Sequence, residues 1–201
     1  MSVRIYGNRS IKTLPGQETR PTASRVREAL FNIWQGDIVG CHWLDLCAGS
    51  GAIGAEALCR GAEIVVGIDR SSRACGVIQQ NWQQVAKSHQ TFRVLRGDVL
   101  RLLPQLNGQI FDRIYFDPPY ASGLYEPVLR AIAQQQLLTS DGVLVAEHST
   151  SEPLPETIAL ELPSELPSES QPETAMLVCD RQKRYGQTAL TFYQWELSDS
   201  E

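Results

Sequence analysis

The residues best suited to chemistry lie in the run Ile114–Tyr120, I-Y-F-D-P-P-Y, which follows an apolar segment typical of a strand. The Asp117 carboxylate and the Pro118 carbonyl can accept the two N–H groups of an amino group on a nucleic-acid base. This draws the nitrogen toward tetrahedral geometry and exposes its lone pair to a methyl donor. Pro118 and Pro119 fix these acceptors at low entropic cost, and Tyr120 can stack on the base. The alternative is an ordinary rigid turn after a strand.

A second run, Leu44–Gly54, has the pattern of a strand that enters a glycine turn and opens a helix. Glycines let a ligand approach the backbone closely, and a helix amino terminus presents unpaired N–H groups. The spacing also matches G-x-G-x-x-G, so a dinucleotide site is an alternative. The turn residues predicted to bind a cofactor are Ala48, Gly49, Ser50, Gly51 and Gly54.

Acidic residues at the ends of three strands favour S-adenosylmethionine as that cofactor. Asp45 precedes the glycine turn, where its carboxylate would repel a diphosphate but accept hydrogen bonds from an ammonium group. Asp69, followed by Arg70, closes the next strand and can hold both ribose hydroxyls, a role that suits NAD equally well. Asp98 can accept from the adenine amino group while Val99 donates its backbone N–H to the ring. A simple helix cap is the alternative for Asp98.

The elements that must position these residues alternate in period along the chain, which predicts an α/β fold with a mainly parallel sheet and helices on both faces. Predicted strands are His42–Leu46, Ile64–Asp69, Phe92–Leu95, Arg113–Phe116 and Gly142–Glu147, then an antiparallel edge hairpin of Ala175–Asp180 and Thr188–Glu196 joined by a basic turn at 181–186. Predicted helices are Gly51–Arg60, Ser71–Ala86, Val99–Leu106 and Tyr125–Leu137, with another that starts at Pro21. The expected architecture is a seven-stranded, Rossmann-like sheet.

The net charge of −5 does not exclude a nucleic-acid partner, because the charge is unevenly distributed. Residues 151–173 are acidic and rich in proline, which predicts a solvated loop, whereas residues 1–30 are basic.

The five cysteines form no C-x-x-C pair, so neither disulfides nor a metal site is expected. His42, His89 and His148 form no partner pattern and are interpreted as satisfied or solvated. No apolar stretch approaches the roughly 18 residues of a membrane span, and no signal peptide is recognisable. A cytoplasmic protein is therefore expected.

With these residues in view, the chain resembles the RsmD family of 16S rRNA guanine-N2 methyltransferases over nearly its whole length. The resemblance rests on R-P-T-x-x-R-V-R-E-A-L-F-N at Arg20–Asn32, D-L-x-A-G-S-G-A-I-G at Asp45–Gly54, E-A-L-x-R-G-A at Glu56–Ala62, D-P-P-Y at Asp117–Tyr120 and K-R-Y-G at Lys183–Gly186. It implies a class I S-adenosylmethionine-dependent methyltransferase that modifies one guanine of the small-subunit RNA, on an assembled or nearly assembled particle. DNA adenine methyltransferases share D-P-P-Y but usually carry a separate target-recognition domain, for which this chain has no room.

The resemblance also implies RNA contacts around the mouth of the cofactor site. The residues concerned are Arg20, Thr22, Arg25, Arg27, Lys183, Arg184 and Tyr185. The residues themselves allow a plainer interpretation, because Arg25 and Arg27 also fit a solvated helix face and 183–185 an exposed turn. Residues 1–19 are predicted to be a basic arm, flexible or hairpin-forming, and residues 20–198 one methyltransferase domain that acts as a monomer.

Three other functions stay open on the sequence. An NAD-dependent oxidoreductase could use the same glycine turn, although Asp45 and the D-P-P-Y motif weigh against it. A non-enzymatic RNA-binding module could retain the fold. D-P-P-Y also serves adenine amino groups, so N6 methylation of adenine in DNA or RNA is an alternative, and the choice of guanine depends on the resemblance.

Overall fold

The computed structural model describes residues 2–15, 21–159 and 176–196, and of residues 21–23 the backbone alone. Its strands are β1 Ser2–Ile5, β2 Arg9–Lys12, β3 His42–Leu46, β4 Ile64–Asp69, β5 Thr91–Arg96, β6 Phe111–Phe116, β7 Leu138–Ser149, β8 Thr157–Ala159, β9 Met176–Tyr185 and β10 Thr188–Glu196. Its helices are α1 Pro21–Ile33, α2 Ala52–Arg60, α3 Ser72–Val85, α4 Val99–Leu102 and α5 Tyr125–Gln134, with 3-10 turns at Tyr6–Asn8 and Leu103–Leu106.

The large sheet has the strand order β5-β4-β3-β6-β7-β10-β9-β8. Its first five strands are parallel, so their carboxyl ends lie along one edge of the sheet. β10 returns antiparallel beside β7 and pairs with β9. The direction of winding reverses between β3 and β6, and α/β sheets bind ligands at such a switch point. The carboxyl ends of β3 and β6 are therefore where the fold favours a site.

Helices cover both faces of the sheet, as the alternating periods predict. α1, α2 and α3 lie on one face over a core that includes Trp43 and Trp82, and α4 and α5 lie on the other. The β1–β2 hairpin packs on the first face, where Val3, Ile5 and Ile11 are buried in the same core. The amino-terminal hairpin therefore shares its apolar core with the helices that surround the glycine turn.

The sheet gains one strand beyond the seven predicted. β8 pairs antiparallel with β9 and comes from the first part of residues 151–173, which were expected to form a loop. Ile158 explains the difference, because its buried side chain lies between two exposed neighbours and completes the core under α5. A single inward residue among prolines is too short a pattern to detect in the sequence. Residues 160–173 of the predicted loop lie outside the described residues.

The predicted basic turn at 181–186 is wrong, because β9 continues through it to Tyr185. Arg184 pairs with Ala189 across the hairpin, and the turn consists of Gly186 and Gln187 alone. The charged side chains are tolerated in this strand because β8 covers only the first residues of β9. Lysine and arginine are common on such an uncovered edge.

Two predicted helices end early. α4 stops at Leu102 and a 3-10 turn follows, since Pro104 has no N–H with which to continue an α-helix. α5 ends at Gln134 instead of Leu137, and Gln136 leaves the helix with a left-handed φ of 50°. Among the described helices, none is long and apolar enough to cross a membrane.

Trp82 of α3 fills the space under the glycine turn, and three glycines make room for it. A Cβ on Gly54 would lie 2.3 Å from the indole ring, one on Gly67 of β4 would lie 2.5 Å from it, and one on Gly51 would lie 2.8 Å from Nε1. The indole N–H also donates to the Gly51 carbonyl at 2.8 Å. Close packing of Trp82 therefore requires glycine at these positions, independently of any ligand.

We expect Gly67→Ala to lower the free energy of unfolding by about 1–3 kcal/mol, because the new methyl group overlaps the Trp82 ring in a closely packed core. The measurement is urea unfolding, repeated in a Trp82→Phe background, where the smaller ring should reduce the penalty. Gly76→Ala is the control, since no atom lies within 4 Å of its Cβ position in the exposed part of α3. It should raise stability by about 0.5–1 kcal/mol. Equal effects of both substitutions would contradict the packing argument.

Candidate active site

Each parallel strand of the sheet delivers a carboxylate to the same edge. The five residues, in spatial order across the sheet, are Asp98 after β5, Asp69 in β4, Asp45 in β3, Asp117 after β6 and Glu147 in β7. Among the described residues, no lysine or arginine forms an ion pair with Asp45, Asp117 or Glu147. This carboxylate edge is therefore suited to a ligand with positive charge.

The glycine turn is held in place by the acidic residues beside it. The Asp69 carboxylate accepts the backbone N–H of Gly49 at 2.9 Å and that of Ser71 at 2.8 Å, one with each oxygen. Asp45 accepts the N–H of Gly54 at 3.0 Å. On the opposite side, Asn81 donates to the Ser50 carbonyl at 2.8 Å. The turn is thus fixed before any ligand binds, as preorganised binding requires.

Asp45 has the properties expected of a partner for a cation. Its side chain is 1% exposed, and the Gly54 N–H is its hydrogen-bond donor among the described residues. Burial raises the pKa of Asp45 to about 7, and the charge of Asp69 adds to the effect. An ammonium group would supply the missing compensation, whereas a diphosphate beside Asp45 and Asp69 would be repelled.

The residues predicted to hold the far end of a cofactor lie at the ends of β4 and β5. Asp98 accepts the backbone N–H of Arg101 at 3.2 Å and caps α4, so the helix-cap interpretation describes the role of one of its oxygens. Val99 is buried at the first position of that helix, and Arg70 is exposed just after β4. Contacts of Asp98 and Val99 with an adenine ring stay a prediction.

The D-P-P-Y run lies at the centre of the carboxylate edge. The Asp117 N–H donates to the Leu46 carbonyl at 3.3 Å, which ties the run to the end of β3 beside the glycine turn. Burial raises the pKa of Asp117 well above its ordinary range, and the nearby charges of Glu147 and Asp45 raise it further. Pro118 is buried, whereas Pro119 is exposed. The run therefore combines the half-buried Asp117 carboxylate and the buried, rigid Pro118 with an accessible outer end.

Tyr120 lies at this outer end and is 46% exposed. Its hydroxyl is 3.4 Å from the Thr188 Oγ1 at the start of β10, so its ring is held where the β9–β10 turn meets the parallel edge. The Thr150 N–H donates to the Gln187 carbonyl at 2.9 Å, which joins that turn to the end of β7. A half-exposed aromatic ring in this position is accessible to a flat ligand.

The sequence patterns do not single out two residues of the site, Glu147 and Tyr115. Glu147 lies one residue beyond the last β6–β7 pair, Phe116 with Ala146, and is therefore next to Asp117 across the sheet. The Tyr115 hydroxyl donates a hydrogen bond to the Glu147 carboxylate. The position of Glu147 at the end of the fifth predicted strand indicates a site residue in the same way as the position of Asp69 does. The hydrogen bond from Tyr115 cannot be predicted from the sequence, because it depends on the order of the strands in the sheet.

The start of the acidic segment contacts the D-P-P-Y loop. Ala121, whose φ is 56°, donates its N–H to the Glu152 carboxylate at 3.3 Å. His148 contacts the Glu152 carbonyl through Nδ1 and the Thr191 hydroxyl through Nε2, at 2.9 and 2.8 Å. His148 is thus a buried, satisfied histidine, as expected. The hydrogen bond from Ala121 steadies the loop after Tyr120.

Arg27 does not lie on a solvated helix face and is not placed to hold RNA phosphates, which corrects the expectation. It is 6% exposed, its Nε donates to Glu56 at 2.7 Å, and its terminal nitrogen donates to the Arg4 carbonyl at 2.8 Å. Arg60 donates to the other Glu56 oxygen at 2.9 Å. This triad of Arg27, Glu56 and Arg60 joins α1 and α2 to the amino-terminal hairpin. Arg25, on the same helix, is exposed.

The other predicted RNA contacts have mixed positions. Lys183 and Arg184 are exposed on β9, whereas Tyr185 is half-buried and packs against the core under α1. Because the β9–β10 turn lies at the carboxylate edge, Lys183 and Arg184 lie on the strand that leads to the site. Arg20 and the side chain of Thr22 lie outside the described residues.

Comparisons with known proteins identify relatives over most of the chain. A family model described as conserved hypothetical protein 95 matches residues 3–194. The Bacillus subtilis protein YlbH is 34% identical over 188 residues, covering 92% of this chain and 93% of that protein. Ribosomal RNA small subunit methyltransferase D of Escherichia coli is 30% identical over 164 residues, 76% of this chain and 78% of that protein. A solved Escherichia coli structure, YhhF, superposes with a TM-score of 0.76 at 28% identity and covers 98% of this chain and 99% of that one.

We expect Asp45→Asn to stabilise the free protein, increasingly so as the pH rises. The folded-state pKa of about 7 lies above the ordinary value of 3.8, so the folded protein holds this proton more tightly than the unfolded chain. Ionised Asp45 therefore destabilises the fold. Its ionisation does not lower the free energy of unfolding below about pH 4, and it has its full effect above about pH 7. In urea unfolding, the advantage of the variant should grow by roughly 2–3 kcal/mol between pH 5 and pH 8. The exposed Glu126→Gln serves as control, and a constant advantage would argue against a buried charge.

Arg27→Ala is expected to lower the free energy of unfolding by about 2–4 kcal/mol, because it removes one partner of a buried ion pair and the contact with the hairpin backbone. Arg25→Ala, at an exposed position two residues earlier, should change stability by less than about 0.5 kcal/mol. Thermal and urea unfolding of the two variants give the comparison. Equal stability of both variants would show that the triad does not fasten α1.

Proposed function

The chain belongs to the family described as conserved hypothetical protein 95, the RsmD family, and we propose that it transfers a methyl group from S-adenosylmethionine to the N2 amino group of a guanine in small-subunit ribosomal RNA. The observation that carries the proposal is the carboxylate edge with D-P-P-Y at its centre, where a cationic donor and an amino group can meet. The RNA substrate follows the name of the Escherichia coli relative, and guanine N2 follows the family resemblance.

The residues present fit S-adenosylmethionine better than a dinucleotide. When bound, it supplies a methyl group on a positively charged sulfur, a donor that is already activated. Buried Asp45 can accept hydrogen bonds from its ammonium group, and Asp69 keeps lone pairs for the ribose hydroxyls after accepting from Gly49 and Ser71. Asp98, Val99 and Arg70 would surround the adenosine end. The carboxylates count against NAD, whose diphosphate would lie beside Asp45 and Asp69.

Asp117 and Pro118 make the target nitrogen reactive. An exocyclic amino group shares its lone pair with the ring and is a poor nucleophile until its N–H groups are drawn out of the plane. The Asp117 carboxylate and the Pro118 carbonyl accept those two N–H groups, and the neighbouring Pro119 limits movement of both acceptors. Tyr120 stacks on the base, which must leave its own stack to enter the site.

Asp117 also provides a destination for a proton. Once the N–C bond has formed and the methyl–sulfur bond has broken, the nitrogen bears the methyl group, both of its original protons and a positive charge, so one proton must be lost. Burial and the neighbouring Glu147 and Asp45 raise the pKa of Asp117, which makes its carboxylate a better proton acceptor than an exposed aspartate. A separate strong base is not needed before transfer, because the donor is already activated.

Exposed basic residues outside the carboxylate edge are the proposed contacts for RNA phosphates. Lys183 and Arg184 lie on the strand leading to the β9–β10 turn, and Arg25 lies on α1. Removing any one of them should weaken RNA binding and reduce its salt dependence without changing the chemical step. We propose an assembled or nearly assembled small subunit as the substrate, with residues 20–198 as one catalytic domain.

Asp117→Ala should reduce methyl transfer by at least about 100-fold while leaving affinity for S-adenosylmethionine within a few-fold, because it removes an acceptor that acts on the target amine. Transfer is measured with tritiated S-adenosylmethionine and small subunits from a strain that lacks this protein, followed by mapping of the modified base. Cofactor binding is measured by calorimetry. Unchanged transfer by the variant would refute the role of Asp117.

Asp141→Ala is the matched control, since Asp141 is an exposed aspartate near the other end of β7. It should retain wild-type transfer. Calorimetry of the wild-type protein with NAD tests the oxidoreductase alternative directly. Binding of NAD without binding of S-adenosylmethionine would overturn the proposed function.

A further inference from the structure

Glu147 shares the face and the edge of the sheet that the D-P-P-Y run occupies. Along β7, Val143 and Val145 point into the core under α1–α3, and the alternation of a strand places Glu147 on that same face. Tyr115 of β6 is buried in the same core, and Asp117 is two residues further along. The two carboxylates are therefore neighbours on adjacent strands, which lie about 5 Å apart.

Tyrosine side chains fix Glu147 from both sides of the sheet. The buried Tyr115 hydroxyl donates to Oε2 of the carboxylate. The Tyr125 hydroxyl, at the start of α5, donates to the Glu147 backbone carbonyl at 3.0 Å. One carboxylate oxygen is thus engaged within the protein, whereas no group in the described part of the chain donates to Oε1, which keeps its lone pairs for a donor in the site. This arrangement holds an acceptor at a defined position beside Asp117.

The bases differ in what they present beside the amino group. Guanine has two adjacent groups of donors, the N1–H and the N2 amino group. Adenine has an N6 amino group next to N1, which is an acceptor. A site with a second carboxylate, beside the one that accepts from the amino group, is complementary to guanine. When adenine enters, that second carboxylate faces the N1 atom of adenine, and both are acceptors.

We propose that Glu147 selects guanine by accepting its N1–H through Oε1 while Asp117 and Pro118 hold the N2 amino group. This role rests on the proposed function and adds a structural basis for guanine that the D-P-P-Y motif itself lacks. Tyr115 acts as a positioning residue, since it directs the Glu147 carboxylate and reaches the substrate only through it. A base without a donor at N1 leaves the half-buried Glu147 carboxylate unpaired within the site and is disfavoured.

The test uses small subunits reconstituted with 16S RNA that carries either guanosine or 2-aminopurine at the mapped position. 2-Aminopurine keeps the amino group at C2 but has an acceptor at N1. For the wild-type protein we expect kcat/KM to fall by about 10- to 100-fold on 2-aminopurine. Glu147→Gln should slow transfer to guanosine and bring the two substrates within about 3-fold, because its amide can donate to N1 of the analogue.

Tyr115→Phe and Glu126→Gln complete the set. Tyr115→Phe removes only the hydroxyl, so the preference for guanosine should decrease while the melting temperature confirms the fold. Glu126→Gln, at an exposed position on α5, should keep the wild-type preference. Equal wild-type transfer to both bases, or an unchanged preference in Glu147→Gln, would overturn the role of Glu147 and leave the methyltransferase function standing. No wild-type transfer to guanosine particles would instead reject the proposed function, and the selection of guanine with it.

Discussion

Carboxylates held close together at partly or fully buried positions are the constraint on which the rest of this structure depends. Asp45, Asp117 and Glu147 are held at the ends of three adjacent strands, and the described lysines and arginines form no ion pair with any of them. Burial raises the pKa of all three carboxyls, and nearby charges raise those of Asp45 and Asp117 further. Such a cluster opposes folding, so it persists only because the parallel strands and the packing beneath them do not allow the groups to separate. A cationic ligand relieves the repulsion, which links the instability of the free site to its proposed chemistry.

Two interactions stabilise the structure around the carboxylate edge. One is apolar packing beneath the edge, and the other is a set of ion pairs away from it. Trp82 fills the volume under the glycine turn so closely that Gly54 and Gly67 cannot carry a side chain there. Away from the edge, Arg27 and Arg60 both pair with the buried Glu56. That triad fastens α1 and the amino-terminal hairpin to α2, the helix that follows the glycine turn. Negative charge is therefore concentrated at the proposed binding site, whereas the charge of Glu56 is compensated where α1, α2 and the amino-terminal hairpin are joined.

This separation of charge suits an enzyme that acts on a base within a polyanion. Phosphates favour the exposed Lys183 and Arg184 on β9 and are repelled by the carboxylate edge. The ring of a base carries no negative charge, and its amino group donates hydrogen bonds to carboxylates. The base can therefore enter the carboxylate edge, whereas the phosphate backbone of the RNA is repelled from it. The proposed division of labour follows: the basic strand holds the RNA, Asp117 activates the amine, and Glu147 distinguishes one base from another.

The sequence determined the parts of the site that are local. A strand before a glycine turn places Asp45, a strand that ends in an aspartate places Asp69, and a strand followed by D-P-P-Y places Asp117 at the carboxyl edge of any parallel sheet. Each of these positions depends only on residues next to it in the chain. Tertiary structure decided the rest. The burial of Arg27 and the hydrogen bond from Tyr115 to Glu147 depend on which helix and which strand become neighbours. Those contacts join residues about 30 positions apart in the chain. The period of apolar residues in one segment shows which face of a helix or strand is buried, but it does not show which other element packs against that face.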